Sequence, residues 1–342
     1  HSYADGIALV QVLLSLTDTA REPGKGADLG KAWLKQDGAK VAHRVGAVER
    51  YAKLGTKMLE KGMDMYRDPT LAGVIAKEGG DIARELIQAL ALPDDPPSLL
   101  RGKLGVSKRV AWAPPLDLEE VKAVGRACGC TVNDVLMATA SGALRDYMIE
   151  RGEHVDGLTL RATVPVNLRP VEHARKLGNH FGLVFLDLPV GIGNPVRRLE
   201  HVAECMNQLK NSRQAIVAYG LLAALGMAPA PVQELALEMF SRKATTVATN
   251  VPGPQQPLYL AGGKIREMMF WVPQTGSIGI GLSILSYNGK VHFGLIADAK
   301  LVPDPHAVIS RFGTEFEKLL YLTLMGRWED TLDSVAAEAL LS

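Results

Sequence analysis

The chain has 342 residues, 47% of them hydrophobic, and 38 Lys and Arg residues against 37 Asp and Glu residues give a net charge of +1. This length and apolar content are ample for a sizeable core and normally form two domains. The near-neutral charge argues against nucleic-acid binding, which needs a basic surface. Three cysteines, Cys128, Cys130 and Cys205, offer no disulfide framework and suit a reducing compartment.

The chain begins with an H-x-x-x-D-G motif, His1-Ser-Tyr-Ala-Asp5-Gly6, directly ahead of an apolar helical run. An imidazole held in this way is a candidate general base, which takes a proton from an incoming alcohol and later returns it to a leaving group. The glycine allows backbone and substrate to approach closely. The six-residue match alone has little specificity, because a His and an Asp four residues apart are common by chance.

Three interpretations of a start at His1 compete: a stretch of a longer polypeptide, a processed subunit, or a functional N-terminal histidine. There is no initiator Met and no leader-like apolar stretch. A functional N-terminal histidine would indicate a copper site in a secreted, disulfide-bonded β-sandwich, which the alternating helices and strands and the three cysteines argue against. We therefore expect His1 to be preceded by further chain.

The first hundred residues show helical periodicity with one long polar loop over residues 18–40, rich in Gly, Lys and Asp. Helices are predicted over residues 6–17, 41–67 and 81–92. Asp94-Asp-Pro-Pro97 then breaks the pattern, so we place the domain boundary near residue 105. Residues 1–105 are predicted to be the end of an N-terminal domain with linker helices, and residues 106–342 a C-terminal domain.

Beyond residue 105 helices and strands alternate, which predicts an α/β fold with a mixed sheet. Capping signals mark helix starts at Asp117, Thr131 and Asn194, and Tyr287-Asn-Gly-Lys290 predicts a type I′ hairpin. Strands are predicted over residues 107–116, 158–167, 182–188, 245–251, 264–272, 279–287 and 291–297, and a closing helix over 305–326. The most apolar run, residues 215–230, is shorter than the roughly 20 residues that span a bilayer, so no transmembrane helix is predicted.

Ten short segments occur in an order that is typical of one family: residues 1–6, 109–112, 131–135, 164–169, 178–179, 187–189, 250–254, 258–262, 285–289 and 293–298. With them the chain resembles the bacterial wax ester synthase/acyl-CoA:diacylglycerol acyltransferases, within the CoA-dependent acyltransferase superfamily. The resemblance implies a two-domain fold like that of chloramphenicol acetyltransferase, with most of the N-terminal domain before residue 1. The family's Pro-Leu-Trp element, which belongs to that domain, is absent from the sequence.

The resemblance also implies roles for the residues of the motif. The family motif is His-His-x-x-x-Asp-Gly and its second histidine, which corresponds to His1, is the catalytic base; an unperturbed imidazole is mostly neutral at pH 7, as a base must be. Asp5 is implied to be mainly structural, paired with Arg161, Arg169 or an arginine outside the chain. Gly6 is expected to contact substrate.

Further site residues follow from the same resemblance. Asn133 is expected to orient the substrate. Asp134 stands in the same family element and is also a candidate substrate contact, although a capping box with Thr131 already explains it. Ser283 is the candidate hydroxyl donor for the oxyanion of the tetrahedral intermediate. Asn250, Gly279 and Gly281 complete the predicted substrate site, with the glycines leaving room for an acyl chain. At positions 281 and 283 relatives often have Asn and Thr, so the lining of the pocket departs from the family pattern.

No cofactor or metal is predicted. The glycines of residues 276–281 run into a strand, whereas a dinucleotide-binding loop must open a helix. The sequence contains no H-E-x-x-H motif and no paired C-x-x-C motifs, so the other seven histidines are interpreted as non-ligands. Acyl-CoA would be a substrate of the protein.

The implied reaction is direct transfer of a long-chain acyl group from acyl-CoA to diacylglycerol or a fatty alcohol, without an acyl-enzyme, because no activated Ser or Cys is evident. Expected partners are the rest of the enzyme before His1 and the surface of the inner membrane or of lipid droplets, in the cytoplasm. Two alternatives stay open: a condensation-type enzyme that takes acyl groups from a carrier protein, and a non-catalytic lipid-binding paralogue. Acceptor preference, acyl chain length and oligomeric state do not follow from the sequence.

Overall fold

In the described part of the chain, strands and helices alternate around one mixed sheet. The structure is a computed structural model. It describes residues 12–22, 92–168, 181–212, 214–215, 218, 229–274, 276–326 and 333–341. The strands are β1 (Lys108–Trp112), β2 (Leu116–Asp117), β3 (Leu160–Asn167), β4 (Phe181–Leu188), β5 (Thr246–Pro252), β6 (Tyr259–Leu260), β7 (Gly263–Lys264), β8 (Ile280–Tyr287) and β9 (Lys290–Asp298). The helices are α1 (Leu118–Ala127), α2 (Val132–Glu150), α3 (Pro195–Asn211), α4 (Ala230–Ser241), α5 (Pro305–Met325) and α6 (Ser334–Leu341). The predicted α/β class with a mixed sheet is confirmed.

Seven strands of the described part form this sheet in the order β1-β9-β8-β5-β3-β4, with β2 also paired to β9. The central pairs β3–β5 and β5–β8 are parallel, and the outer pairs are antiparallel. Strand β5 therefore lies in the middle of the sheet although it comes late in the chain. Its neighbours on both sides hold it in register, with Ala162 opposite Thr246 and Ser283 opposite Thr249.

The two faces of the sheet are covered differently. Strand side chains alternate between faces, and those of Leu282 and Ile284 join the main core with the apolar sides of α1, α2, α3 and α5. Within this core the Phe293 and Phe312 rings stack with centroids 3.8 Å apart. On the opposite face a smaller cluster joins Val247 to the segment between β7 and β8. The helices thus cover one face, and an irregular chain segment lies on the other.

The capping and turn signals of the sequence correspond to real helix starts and a real hairpin. The Thr131 and Asp134 side chains form the reciprocal capping box of α2, and the Asn194 side chain accepts hydrogen bonds from the first turn of α3, 3.0 and 3.1 Å long. Asp117 caps α1 by accepting from the Glu119 N–H. Asn288 and Gly289 both have positive φ, at 49° and 73°, as a type I′ turn requires.

The strand predicted over residues 264–272 is wrong. Only Gly263–Lys264 is extended and paired, and residues 265–274, here named the covering segment, have no regular secondary structure. The apolar residues that produced the strand pattern pack against the face of the sheet instead. Val272 and Phe270 belong to the small cluster on the face opposite the helices. An apolar pattern alone does not distinguish a paired strand from a segment lying on a sheet.

The chain just after the opening motif contacts the far end of β8. Leu14 packs with Leu258 and Tyr287 in a small buried cluster, and residues 12–15 are helical. Asp18 and Tyr259 exchange two backbone hydrogen bonds, of 2.9 and 2.8 Å. The Tyr287 hydroxyl completes this contact, since it accepts from the Leu258 N–H and donates to the Ile265 carbonyl, both at 2.8 Å.

Some predictions lie outside the described residues, namely the helices over 41–67 and 81–92 and the first part of the helix over 6–17. Helices α4 and α6 were not predicted. None of the helices that the structure describes combines the length and apolarity needed to cross a membrane.

Candidate active site

Two of the predicted site residues contact each other directly. The side-chain nitrogen of Asn250, on β5, donates a hydrogen bond of 2.5 Å to the side-chain oxygen of Asn133, on the first turn of α2. Thr131 places this turn, because its capping interaction ends the preceding loop and starts the helix. Asn133 is exposed and Asn250 half-buried, so the NH2 group of Asn133 remains as a donor at the positive end of a 19-residue helix.

Asp134 has the structural position that its capping box predicts. It is 2% exposed, and one carboxylate oxygen accepts the Thr131 N–H at 2.8 Å. The Thr131 hydroxyl in turn accepts the Asp134 N–H at 3.3 Å. A carboxylate used in this way fixes the helix start that carries Asn133, and a contact of Asp134 with substrate stays a prediction.

Ser283 lies under the covering segment. Its side chain is fully buried, and its hydroxyl oxygen accepts the backbone N–H of Val272 at 3.1 Å. The hydroxyl therefore fixes the covering segment to the sheet and keeps its own proton for donation. Thr249 lies opposite it on β5, and the Thr249 hydroxyl oxygen is buried with no hydrogen-bond partner among the described residues. Sequence reasoning missed Thr249, and only the register of β5 against β8 identifies it.

The two predicted site glycines face side chains of the protein. A Cβ at Gly281 would lie 2.6 Å from Val272 Cγ1 and 2.8 Å from Ile296 Cγ2. A Cβ at Gly279 would lie 2.5 Å from Leu301 Cδ1. Both glycines thus allow close packing of these side chains, and their role in leaving room for an acyl chain stays a prediction.

A cleft of about 310 Å³ opens beside the covering segment. A second one, of about 450 Å³, shares Leu104 and Gly276 with it and reaches Leu237 of α4. The lining of the first includes Leu104, Lys108, Trp271, Val272, Gln274 and Ile296. Both lie on the face of the sheet opposite the helical core, the face to which Gly281 and Ser283 also belong.

The cysteines do not provide a nucleophile. Burial raises the pKa of the Cys128 thiol to about 12 and those of Cys130 and Cys205 to about 11. Thiols with such pKa values stay protonated at neutral pH and are poor nucleophiles.

His1, Asp5 and Gly6 lie outside the described residues. One suggested partner of Asp5 is already engaged, because the Arg161 guanidinium lies 3.4 Å from the Asp95 carboxylate and donates to backbone oxygens of Pro93 and Lys243 at 2.8 and 3.0 Å. Arg161 therefore holds the linker before residue 96 against β3. Arg169 also lies outside the described residues.

Comparisons with known proteins identify two consecutive family models on this chain. The model for the wax ester synthase/diacylglycerol acyltransferase catalytic domain matches residues 1–136, and the model for the WS/DGAT C-terminal domain matches residues 177–320. Together they account for most of the chain.

Curated and solved relatives agree with these models. A probable diacylglycerol O-acyltransferase of Mycobacterium tuberculosis is 28% identical over 312 residues, which cover 89% of this chain and 63% of that protein. A second one from the same organism is 30% identical, over 68% of this chain and 52% of its own length. The solved wax ester synthase/diacylglycerol acyltransferase from Marinobacter aquaeolei VT8 matches with a TM-score of 0.53 and 26% identity, over 71% of this chain and 56% of that one. The chain thus spans about half to two thirds of the length of these relatives.

Proposed function

Because the chain belongs to the wax ester synthase/diacylglycerol acyltransferase family, we propose that it transfers a long-chain acyl group from acyl-CoA to the hydroxyl of diacylglycerol or a fatty alcohol. The observation that carries the proposal is the match of two family models in one chain, the first of which includes His1, Asp5 and Gly6. The products would be free CoA and a triacylglycerol or wax ester. Relatives named as diacylglycerol O-acyltransferases support this reaction.

In this proposal the neutral imidazole of His1 removes the proton of the acceptor hydroxyl, and the oxygen attacks the thioester carbonyl carbon. The tetrahedral intermediate collapses with loss of the C–S bond. The imidazolium gives its proton to the departing CoA thiolate, which restores the neutral base. Both substrates are bound together, and no bond forms between enzyme and acyl group.

The contact made by residues 12–22 supports a place for the motif near the Asn133–Asn250 pair. Residue 6 is six residues before Val12, so the chain between them spans at most about 22 Å. Leu14 packs with Tyr287 at the end of β8. Three residues earlier on the same strand, Ile284 is the register partner of Asn250. Three residues of strand are about 10 Å. In the proposal the motif lies at the end of the sheet where the two asparagines meet, a position within reach of this contact.

Ser283 is the proposed donor to the oxyanion. Its hydroxyl oxygen already accepts the Val272 N–H, which orients the group while its proton stays available to a developing negative charge. A single donor of this kind is worth about 3 kcal/mol of transition-state stabilisation. A substrate would reach it beneath the covering segment, since the side chain is fully buried.

Association with a lipid surface is the proposed location, at the cytoplasmic side of the inner membrane or on lipid droplets. Leu235 and Met239 of α4 support it, because they are four residues apart on one side of the helix and are 68% and 38% exposed. Apolar side chains exposed together on a helix suit an interfacial contact. Co-flotation of the protein with vesicles, and its loss in Leu235→Glu, would test this location.

The decisive experiment measures labelled acyl transfer by the purified protein from palmitoyl-CoA to hexadecanol and, separately, to a diacylglycerol. The proposal expects ester formation that His1→Ala abolishes, while His154→Ala, a change at an exposed histidine, leaves it intact. Ester formation only from a carrier-protein-linked acyl group would instead indicate a condensation-type enzyme. Binding of acyl-CoA without any turnover would indicate a lipid-binding paralogue. An acyl adduct on the intact protein would exclude direct transfer.

A further inference from the structure

A cluster of three side chains outside the proposed active site has the composition of a metal site. Asp187 lies on the edge strand β4, and His201 and Cys205 lie on α3. Their carboxylate oxygen, imidazole nitrogen and sulfur atoms all lie within 4.8 Å of one another. Atoms at such separations can bind one cation together without any movement of the backbone.

The helix and the strand explain why these three groups meet. His201 and Cys205 are four residues apart, so both project from the same side of α3. Helix α3 packs against the end of the sheet through Val196, Leu199 and Val202, which belong to the main core. The core thus fixes the distance between the helix and β4, and the three donor atoms are held by two rigid elements.

The His201 imidazole provides a second, independent indication. Its Nε2 atom is buried and has no hydrogen-bond partner among the described residues. A buried ring nitrogen without a partner is a cost to folding, and a metal ion would satisfy it as a ligand. Asp187, His201 and Cys205 are nevertheless half-buried rather than enclosed, which leaves a route by which an ion can enter.

The chemistry of the donors identifies the metal. Thiolate, imidazole and carboxylate together are typical ligands of Zn²⁺, and Ca²⁺ or Mg²⁺ would require oxygen ligands alone. Burial, with the Asp187 and Glu204 carboxylates, raises the pKa of the Cys205 thiol to about 11. Cysteine binds metal as the thiolate, so Zn²⁺ would displace the thiol proton on binding.

We propose that Asp187, His201 and Cys205 form a Zn²⁺ site that joins the edge strand β4 to α3. Three protein ligands leave a fourth tetrahedral position for water. Its ligands lie on β4 and α3, whereas Ser283 and Asn250 lie on β8 and β5, and the proposal does not depend on the proposed function. The sequence predicted no metal ligand, because Asp187 is 14 residues before His201 and no short motif joins them.

Two titrations of the purified protein test this site. One adds Co²⁺ alone and follows absorption, and the other adds Zn²⁺ alone and is followed by calorimetry. Cobalt bound by a thiolate gives sulfur-to-metal charge-transfer absorption. We expect about one Co²⁺ per chain with this absorption, and its loss in Cys205→Ser. His201→Ala and Asp187→Asn should weaken Zn²⁺ binding by at least about tenfold. Zn²⁺ should also raise the melting temperature of the unsubstituted protein and not that of Cys205→Ser.

Two matched controls separate this site from adventitious binding. Cys130→Ser removes a thiol of similar burial and similar pKa, and His154→Ala removes an exposed imidazole. Both should leave the absorption and the Zn²⁺ affinity unchanged. The proposal is overturned if Cys205→Ser keeps the charge-transfer band, or if the folded unsubstituted protein shows none. Circular dichroism of each variant distinguishes the loss of a ligand from the loss of the fold.

Discussion

Asn250 donates its side-chain N–H to the side-chain oxygen of Asn133 and so joins the central strand of the sheet to the first turn of α2. The two residues are 117 positions apart in the chain. Their contact fixes the direction of the Asn133 amide through its oxygen, and a contact of the NH2 group with substrate stays a prediction.

The asparagine pair should affect catalysis more than stability. Asn250→Ala and Asn133→Ala each remove an exposed or half-buried hydrogen bond, which is worth about 0.5–1.5 kcal/mol. We expect turnover to fall by about 10- to 100-fold, because a loosely held substrate loses its reactive geometry. Rates and unfolding free energies of both single variants and the double variant measure the coupling. Additive losses in turnover would show that the two amides act separately.

Ser283→Ala should reduce both stability and turnover. The change leaves the buried Val272 N–H without its acceptor, which costs about 1–3 kcal/mol. Loss of an oxyanion donor should lower the turnover number by about 100-fold or more. Urea unfolding and steady-state kinetics separate these effects. Reduced stability with a full turnover number would leave Ser283 a purely structural role.

Gly281→Ala should destabilise the protein through overpacking. Its Cβ would lie 2.6 Å from Val272 Cγ1, and crowding of this kind costs about 1–3 kcal/mol. Gly313→Ala in α5 is the matched control, because a Cβ added there would meet no atom within 4 Å among the described residues outside its own helix backbone and chain neighbours. That change should stabilise the helix by up to about 1 kcal/mol. Thermal unfolding of both variants checks the contrast, and equal melting temperatures would contradict it.

The ion pair between Arg198 and Glu315 should be far more important than exposed pairs. Both side chains are almost fully buried, at 1% and 2% exposure, and burial lowers the pKa of Arg198 although Glu315 opposes this. Arg198→Met should cost about 3 kcal/mol, because it removes the buried partner of Glu315 and leaves that carboxylate only its contact with the partly exposed Lys318 ammonium. Lys122→Met, which breaks an exposed pair with Glu119, should cost at most about 1 kcal/mol. Chemical denaturation measures both.

Asp298 should make stability depend on acid pH. Burial alone would raise its pKa, but the Lys108 ammonium and the N–H groups of Gly105 and Lys300 outweigh burial and lower the pKa to about 2. Its contribution is therefore present above the unfolded pKa near 4 and is lost as the pH falls toward about 2. Asp298→Asn should be less stable at pH 6, with the difference shrinking below pH 4. A constant difference across this range would contradict the role of its charge.

Local signals in the sequence predicted the elements that local interactions determine. The Thr131 capping box and the Asn288-Gly289 turn were readable because their partners lie within three residues. The strand predicted over residues 264–272 failed for the opposite reason. Its apolar side chains pack on the face of the sheet. Whether a segment joins a sheet as a paired strand or lies on its face depends on strands far away in the sequence.

The same distinction applies to the candidate site. The resemblance identified Asn133 and Asn250, but their mutual contact requires β5 to enter the middle of the sheet, which no local pattern indicates. The cluster of Asp187, His201 and Cys205 was invisible for the same reason. Ser283 was predicted as a donor from the sequence. That it also accepts the Val272 N–H depends on the course of the covering segment, most of which the sequence predicts as a strand.

The double bridge between Asp18 and Tyr259 consists of main-chain groups only. Nineteen of the twenty amino acids can supply such groups, since proline alone lacks the N–H. Related chains can therefore differ in side chain at both positions while residues 12–22 keep the same attachment point. Attachment through the backbone lets the side chains of this connection change without moving the segment that it holds.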